Sequence, residues 1–305
     1  MHIESLSNGM GGQSMYLLWL AGQRRIPATY SITADTGSEL DCLWSTGERT
    51  TAAEFFARVV KPLADEWGID ARFVRAVDKN ENPLPPLHEY ARQFIHLGDG
   101  KKQMMPLYGI RGKNGRSQLR QTCTERWKVA AINQEARRLG AKTLRTAQGI
   151  HIGEYDRRCK GIYLRDEEFN GQVFSVYQTT RTVKGETIVI KWLSHYYPLV
   201  DLKMNREAVA EEMRRLNIPY LVTSECDMCP HKDWPRWQRT SPETVDRIAE
   251  HEAEYQGQFF FTDRRVPLKE ALTLMAEAAA RGDAGRTLPL FDGADFGCRN
   301  DVCGV

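Results

Sequence analysis

Residues 5–20 read SLSNGMGGQSMYLLWL, in which a polar stretch with three glycines runs directly into an apolar one. The residues up to Ser7 predict a β-strand, and the apolar segment predicts a helix that begins at Ser14, a favourable N-cap residue. Glycine adopts backbone angles that are closed to other residues and lets a ligand approach the main chain. The stretch therefore predicts a strand, a glycine-rich loop and the start of a helix.

Such a loop aims unpaired backbone N–H groups and the positive end of the helix at one point in space. This geometry suits a phosphate group. An ordinary tight turn between a strand and a helix is the alternative interpretation, because a lone glycine-rich loop is weakly specific. Evidence from elsewhere in the chain has to decide between the two.

The composition is that of a globular protein of 305 residues, 41% of them hydrophobic and 27% charged. The formal net charge of +2 creates no overall field that demands a nucleic-acid partner. No apolar stretch is long enough to span a membrane, and the first residues lack the pattern of a signal peptide. We therefore expect a cytoplasmic protein with no membrane partner.

Strand-like and helix-like segments alternate along the chain. The segments 28–34 and 71–77 predict strands, and residues 51–68 between them predict a helix that Pro62 kinks or breaks. Another helix is predicted over 123–140, where a glycine closes its C-terminal end. This alternation predicts an α/β fold with a mostly parallel, doubly wound sheet and helices on both of its faces.

We expect one main α/β domain over residues 1–257 and a small C-terminal appendage over residues 258–305. The appendage combines one strongly predicted helix, PLKEALTLMAEAAARG, with a tail rich in glycine and aspartate. Within the main domain, a helix capped by Asn205 carries an apolar stripe. His195, in LSHYYPL, is interpreted as a structural histidine.

A parallel sheet binds its ligands beyond the carboxyl ends of its strands. The glycine-rich loop stands at such an end, and so does ADTGSE, where Asp35 and Gly37 follow the second predicted strand. An acid or amide at this place often meets the ribose or the base edge of a nucleotide. A plain turn is the alternative, since Asp and Gly are favoured in turns for local reasons.

Seven cysteines, an odd number, favour reduced thiols, catalysis or a metal site over a disulfide framework. Cys226 and Cys229 form a CxxC loop, which can point two thiolates at one metal ion or act as a redox dithiol. Cys123 begins a predicted helix, whose N-terminus favours its thiolate. The further candidate ligands are Cys159, Cys298 and Cys303. Scattered free cysteines are the alternative, and Cys42 is the clearest case.

The order of these motifs resembles that of the PP-loop nucleotide-binding proteins of the phosphoadenosine-phosphosulfate reductase branch. These are also called adenine nucleotide alpha-hydrolase-like, and many are carried by phages and mobile elements. Their first strand runs into an SGGxDS-type loop, with a GxGxQS variant that this chain matches over residues 9–14. The later matches are Asp35, Thr36 and Gly37 (DTG); Cys123, Thr124 and Lys128 (CTxxxK); Gly149, Ile150, Glu154 and Arg157; Tyr197, Pro198, Leu199 and Arg206; and the CxxCP element. The resemblance covers roughly residues 3–240.

The resemblance implies that the first loop holds the phosphates or sulfate of an adenine nucleotide, either ATP or phosphoadenosine phosphosulfate. The implied cofactor-binding residues are Ser7, Gly9, Gly11, Gly12, Gln13, Ser14, Asp35, Thr36, Gly37 and Gly149, with the DTG segment beside the adenosine. Lys128 and Arg157 would neutralise phosphate charge, and placement on the surface is the alternative for either. Gln13 stands where the SGGxDS pattern has its aspartate, which helps relatives handle ATP with magnesium. We therefore expect nucleotide binding to survive this change better than ATP cleavage.

In iron–sulfur members of this branch, cysteines at the start of a helix combine with a later CxxC to hold a 4Fe-4S cluster. The resemblance implies that Cys123, Cys226 and Cys229 are cluster ligands, and Cys298 is a candidate for the fourth. One iron left open, as in sulfur-transferring relatives, is an alternative to a fourth ligand. Zinc on the same thiolates is the rival metal.

Three functions are compatible with these features. The favoured one is an enzyme that activates its substrate through an adenine nucleotide and transfers sulfur to a nucleic acid or a nucleotide. A sulfur donor protein would supply the sulfur. A sulfonucleotide reductase is the second, and it would need a thiol reductant and a nucleophilic cysteine, for which Cys303 in the tail NDVCGV is the candidate. A nucleotide-binding module without catalysis, within a defence or modification complex, is the third. The basic loop at 111–120 could contact phosphate or nucleic acid, or be a solvated charged loop.

Overall fold

The computed structural model of this chain describes residues 1–96, 105–110, 117–119, 121–158, 161–183, 186–222 and 225–281. Cys159, Cys298 and Cys303 lie outside these residues, as do the side chain of Arg157 and nearly all of the basic loop. No helix within the described ranges is long and apolar enough to cross a membrane.

The chain divides into two compact units. Within the described residues, the first unit contains Met1–Leu84 and Thr124–Glu225, and the second contains Pro85–Cys123 and the chain from Cys226 onward. The boundary after residue 257 that the sequence suggested stays a prediction.

Both units contain β-strands and helices. The strands are β1 (His2–Ser7), β2 (Tyr30–Asp35), β3 (Cys42–Leu43), β4 (Arg49–Thr50), β5 (Asp70–Arg75), β6 (Tyr108–Gly109), β7 (Ser117–Gln118), β8 (Thr143–Ala147), β9 (Ile162–Phe169), β10 (Gln172–Val183), β11 (Glu186–Tyr196) and β12 (Phe259–Phe260). The α-helices are α1 (Gly12–Gly22), α2 (Ala52–Phe55), α3 (Lys61–Glu66), α4 (Leu87–His96), α5 (Ala130–Arg138), α6 (Tyr155–Arg158), α7 (Pro198–Asp201), α8 (Arg206–Leu216), α9 (Trp234–Gln238), α10 (Pro242–Glu254) and α11 (Leu268–Ala280). Phe56–Val60 and Thr124–Val129 are π-helical, and Ile152–Glu154 is a 3₁₀ turn.

The first unit is built on a seven-stranded sheet with the order β5-β2-β1-β8-β11-β10-β9. The five strands from β5 to β11 are parallel to their neighbours. The last three, β11, β10 and β9, form an antiparallel meander. The predicted α/β class with a mostly parallel sheet is therefore confirmed, and the antiparallel meander at one edge is an addition that we did not predict.

Apolar side chains cover both faces of this sheet, as a doubly wound fold requires. On one face, Leu6 packs in a core with Leu17 of α1 and Met213 of α8. On the other face, Ile3 packs with Ile132 of α5. These side chains are almost fully buried, and burying each one contributes about 1.5–3 kcal/mol to folding.

The predicted helix over residues 51–68 is one run of helical residues over 52–66, with a π-helical segment inside it. Thr51 begins it with a capping box, in which its side chain accepts the N–H of Glu54. The π-helical segment Phe56–Val60 lies directly before Pro62, which stands in the first turn of α3. Proline lacks an N–H, so the hydrogen-bond pattern of the helix has to change around it. Pro62 therefore coincides with a change of helix type, and the helix does not end there.

The carboxyl ends of the parallel strands β1, β2 and β8 lie together on one side of the first unit, which we call the sheet edge. From β1 the chain proceeds to β2 on one side, whereas β8 lies on the other side and leads to β11. The crevice outside such a switch point is where open parallel sheets bind ligands. The predicted loop and the DTG segment both lie at this edge.

The second unit is mainly helical, with a small sheet of order β12-β6-β7. The buried carboxylate of Glu252 joins its parts, because it accepts the backbone N–H groups of Phe261 at 3.1 Å and Leu268 at 2.7 Å. Burial raises the pKa of Glu252. The helix predicted for the C-terminal appendage is α11, which begins after Pro267.

Candidate functional site

The loop after β1 is shaped by Asn8, which is almost completely buried. Its side-chain oxygen accepts the N–H of Met10 at 2.8 Å, and its amide donates to the Ser31 hydroxyl at 3.1 Å. Its backbone N–H donates to the carbonyl of Ile32 at 3.1 Å. Asn8 therefore stabilises the turn after β1 and links it to the neighbouring strand β2.

The left-handed residue of this loop is Met10, with φ of 61°. Gly9, Gly11 and Gly12 do not have a positive φ, so the left-handed angle of the loop belongs to a non-glycine residue. The Asn8 side chain holds the Met10 N–H, and the Met10 carbonyl accepts from Leu221 at 2.9 Å. These bonds offset the roughly 1–2 kcal/mol that a non-glycine residue loses in this conformation.

Helix α1 begins one turn earlier than predicted. Its N-cap is Gly11, with extended backbone angles and no side-chain cap. Ser14 lies inside the first turn of the helix, and its hydroxyl donates back to the Gly11 carbonyl at 3.1 Å. The prediction of Ser14 as N-cap is therefore wrong, and the first turn stays open.

This open first turn presents backbone N–H groups at the sheet edge. The N–H groups of Gly12, Gln13 and Ser14 have no acceptor within the described residues. No acidic side chain lies in the first turn to neutralise the positive helix end. Three N–H groups and a helix dipole at one point are the arrangement that binds an anion.

Ser7, the last residue of β1, adds a polar group to the start of the loop. It is 5% exposed, and its hydroxyl oxygen has no hydrogen-bond partner in the described part of the chain. A buried hydroxyl without a partner costs about 1–3 kcal/mol. Ser7 is a predicted anion-binding residue, and a hydroxyl without a hydrogen-bond partner in the protein is compatible with that role.

The loop after β8 approaches the same helix. A Cβ atom built on Gly149 would lie 3.2 Å from Cβ of Gln13 and 3.3 Å from the backbone nitrogen of Ser14. Both distances are tighter than ordinary van der Waals contact, and a larger side chain would cover the Ser14 N–H. Glycine at position 149 therefore keeps the first turn of α1 accessible.

The loop after β2 contrasts with the loop after β1, because its own side chains bind one another. Asp35 accepts the Gly37 N–H at 2.7 Å through one oxygen and Nε of Arg75 at 3.0 Å through the other. Gly37 has φ of 66°, which favours glycine. Asp35 and Gly37 thus form a turn, and their place beside an adenosine stays a prediction.

Two further side chains of this loop are buried polar groups. The Thr36 hydroxyl donates to the Glu39 carboxylate, and both residues are buried. Nζ of Lys128, from the π-helical segment before α5, lies 3.8 Å from a Glu39 carboxylate oxygen. The structure therefore places the predicted phosphate ligand Lys128 beside an acid at the end of β2.

His195 is a structural residue, in line with the expectation. Its Nδ1 lies 2.9 Å from the Thr179 hydroxyl, and its ring packs against Tyr177 and Tyr197. A Cβ atom on Gly161 would lie 3.0 Å from the imidazole, so backbone closes over it. Its position gives it a packing role between strands.

The predicted cysteine ligands lie in the second unit. Cys226 and Cys229 form a turn closed by a 3.0 Å hydrogen bond between their backbones. Around this turn, the buried Asp227 pairs with Arg247 at 3.3 Å, and His231 contacts Gln121 at 3.0 Å. Burial lowers the pKa of His231, so its imidazole is neutral near pH 7.

No three His, Cys, Asp or Glu side chains of the described residues are arranged to hold a metal ion. Cys123, Cys226 and Cys229 lie in one unit, and a metal on them stays a prediction. Cys42 is buried in the core of the first unit, as expected of a free cysteine. Cys298, the fourth candidate, lies outside the described residues, and the cluster stays a prediction.

Sequence reasoning missed two residues at the sheet edge, Asn8 and Glu39. Asn8 has a signal, because Asn before Gly often forms a side-chain turn. Glu39 follows DTG within ADTGSE, yet only the fold shows that it is buried against Thr36 and Lys128.

Comparisons with known proteins give one finding for the whole chain. No protein-family model matches it, and no curated protein matches it. Among solved structures, it is similar to a crystal structure of phosphoadenylyl-sulfate (PAPS) reductase from Candida auris in complex with phosphate. The TM-score is 0.35 and the identity 11%, over 72% of this chain and 74% of the other. A TM-score at this level does not establish a common fold, so the strand order described above carries the fold assignment.

Proposed function

We propose that this chain is an enzyme that binds an adenine nucleotide at the edge of its parallel sheet, with the phosphate or sulfate at the start of α1. The observation that carries the proposal is the buried Ser7 hydroxyl without a partner, directly before a helix whose first N–H groups are open. Polar groups of this kind are usually satisfied in a folded protein. A bound anion would satisfy all of them together.

The surroundings of this anion site support a nucleotide rather than a free phosphate. The switch point between β1 and β8 provides a crevice, and Gly149 leaves room at the first turn of α1. The resemblance of the sequence motifs to PP-loop proteins supports adenine as the base. In this arrangement Gln13 would donate a hydrogen bond to a phosphate or sulfate oxygen.

Sulfur transfer to a nucleic acid or a nucleotide is the reaction we propose. The acceptor oxygen would attack the α-phosphorus of ATP and release pyrophosphate, and a sulfide-level donor would then displace AMP from the activated acceptor. The chain's own contribution to this step is to hold the α-phosphate against the N–H groups of α1.

Reduction of a sulfonucleotide is the alternative reaction. It would release sulfite at the expense of a thiol donor, and it depends on Cys303. A module that binds nucleotide without catalysis would do neither. ATP consumption with AMP release that requires the acceptor separates sulfur transfer from both of these.

The binding site itself is tested by isothermal titration with AMP and ATP on the wild type, Ser7→Ala and Thr262→Val. Thr262 also has a buried hydroxyl without a partner among the described residues, but it belongs to the second unit. We expect Ser7→Ala to weaken nucleotide binding by about tenfold, the worth of one hydrogen bond to a charged group. Its free energy of unfolding should be unchanged or higher, because an unmet buried hydroxyl is removed.

Thr262→Val should bind nucleotide like the wild type. Equal affinities of the wild type and Ser7→Ala would contradict the proposed position of the phosphate. A wild type that binds neither AMP nor ATP would overturn the nucleotide site altogether.

A further inference from the structure

Part of the antiparallel meander extends beyond the seven-stranded sheet. Residues 172–178 of β10 pair with β9, and residues 193–196 of β11 pair with β8. The remaining residues of these two strands, 179–183 and 186–192, have strand partners only in each other within the described chain. We call this two-stranded segment the ribbon. Because β11 runs parallel to β8, the ribbon leaves the sheet at the amino ends of the parallel strands, opposite the sheet edge.

The ribbon exposes apolar side chains on a strand with an open outer side. Ile188 is 48% exposed and Val189 is 41% exposed, within the uncharged run Thr187–Ile190 of β11. The outer side of this run, away from β10, has no strand partner among the described residues, because the pairing with β8 begins at Leu193. Strands that are open in this way usually carry charges that prevent pairing with another chain. Two strands alone are only marginally stable in water, so this run favours a further strand.

The outer side of the run is complementary to itself. Two antiparallel copies of β11, related by a two-fold axis at Val189, place the two Val189 side chains opposite one another. The same register places Ile188 of each copy opposite Ile190 of the other. Cross-strand pairs of this kind stabilise a sheet, and the same surface serves both copies, as in a two-fold dimer. The two ribbons together then form four adjacent strands.

The charges at the two ends of the run favour the same arrangement. Glu186 precedes the run and Lys191 follows it; both are exposed, and neither has an ion-pair partner in the described part of the chain. Antiparallel pairing brings the acidic end of each copy to the basic end of the other and keeps the two acids apart. A nucleic acid fits this surface less well, because the run offers its phosphates no cation and Glu186 repels them.

We propose that this chain forms a two-fold dimer with a second copy of itself, through the outer side of β11 in the ribbon. The inference is independent of the proposed nucleotide site, because the ribbon lies at the opposite end of the sheet from the start of α1. The paired run is short compared with a standard protein interface, so the dissociation constant should be micromolar.

The test is sedimentation equilibrium of the full chain from about 1 µM to about 200 µM, a range that spans this dissociation constant. The wild type should pass from the mass of one chain to that of two. Val189→Lys places two ammonium groups opposite one another at the two-fold axis and should raise the dissociation constant at least about tenfold. Val173→Lys is the matched control, because Val173 is 56% exposed on β10 but pairs with Glu168 inside the seven-stranded sheet. It should dimerise like the wild type.

Hydrogen exchange locates the interface by a second measurement. In the wild type, the backbone amides of residues 186–190 should exchange more slowly at high protein concentration than at low concentration, because pairing protects them. The amides of residues 172–178 already lie between two strands, so their exchange should not depend on concentration.

The opposite results would overturn the proposal. A wild type that stays monomeric at about 200 µM would do so. A dimer that Val189→Lys leaves intact would show that another surface holds the two copies. Binding of a labelled DNA duplex to a monomeric wild type, lost in Arg181→Ala, would assign the ribbon to a polyanion instead. Val189 is exposed, so both lysine variants should unfold like the wild type in urea, and the wild-type masses need no variant.

Discussion

The loop after β1 and the cysteine turn of the second unit both have the residue types of a ligand site, yet they fold differently. In the loop, the Ser7 hydroxyl and three helix N–H groups have no partner among the described residues. In the turn, Asp227 is bound by Arg247 and His231 by Gln121. The two regions thus differ in how far these polar groups bind other groups of the described residues.

The largest expected effect comes from breaking the loop at Asn8. Asn8→Ala removes the acceptor of the Met10 N–H and the donor to Ser31, and it leaves both groups buried without these bonds. We expect the free energy of unfolding to fall by about 2–3 kcal/mol, with further loss from the left-handed Met10. Urea unfolding measures the first effect, and nucleotide titration should show binding lost along with the loop shape.

Asn80→Ala is the control, because Asn80 is exposed in a turn of the same unit. It should change the free energy of unfolding by less than about 0.5 kcal/mol. A stable Asn8→Ala protein with normal nucleotide affinity would show that the loop does not depend on this side chain, and the contrast between the two regions would then lose its structural basis.

Much of the sheet edge could be predicted from the sequence. Alternating strands and helices gave the α/β class, and the glycine-rich and DTG segments were correctly placed at the ends of β1 and β2. The details could not be predicted, because they depend on contacts between distant residues. The Asn8 amide donates to the Ser31 hydroxyl, and the Met10 carbonyl accepts from the Leu221 N–H. These contacts stabilise a left-handed methionine, a conformation that local propensity alone disfavours.

The cysteine region was predictable only in part, for a related reason. A CxxC spacing states that two thiols are near one another, but the position of the remaining ligands depends on tertiary structure. Cys123 shares a unit with Cys226 and Cys229, and this still produces no three-ligand group in the described ranges. The antiparallel meander of β9 to β11 was also missed, although Asn170 and Gly171 between β9 and β10 form the two-residue turn that is typical of a hairpin.

The pH dependence of the free energy of unfolding should show an effect of intermediate size that distinguishes the two units. Burial lowers the pKa of His251 to about 4, and the nearby His88, Arg92 and Arg247 act in the same direction, against Glu254. The folded state therefore binds fewer protons than the unfolded state, whose histidine titrates near 6.5. Stability from this group is complete above pH 6.5 and is lost as the pH falls toward 4, by about 1–2 kcal/mol after allowance for solvent. His251→Phe, which fits the neighbouring rings of Tyr255 and Phe261, should remove much of this loss in urea unfolding at pH 7.5 and 5.0.

Asp201 in the first unit should give the opposite sign. Burial raises its pKa to about 6, and Asp166 adds to the shift. Stability from this group is complete below the unfolded pKa of 3.8 and is lost as the pH rises to about 6, so Asp201→Asn should stabilise the protein most at pH 7.5, less at pH 5.0 and least below pH 4. The two variants thus remove pH dependences of opposite sign over overlapping pH ranges. Identical pH profiles for His251→Phe and the wild type would show that the histidine is not shielded from water in the second unit.

The smallest expected effect on the nucleotide site comes from changing the cysteines. If the cysteine turn and the loop after β1 have separate roles, Cys226→Ser should change AMP affinity by less than about twofold. The cluster prediction is tested on the same protein after anaerobic purification, by iron, sulfide and zinc analysis and an absorption spectrum. If Cys298 supplies the fourth ligand of a cluster, bound iron and sulfide should be lost in both Cys226→Ser and Cys298→Ser. Iron that survives Cys298→Ser would assign the fourth position elsewhere or leave one iron open, and protein that holds neither iron nor zinc would contradict the metal prediction for the cysteine turn.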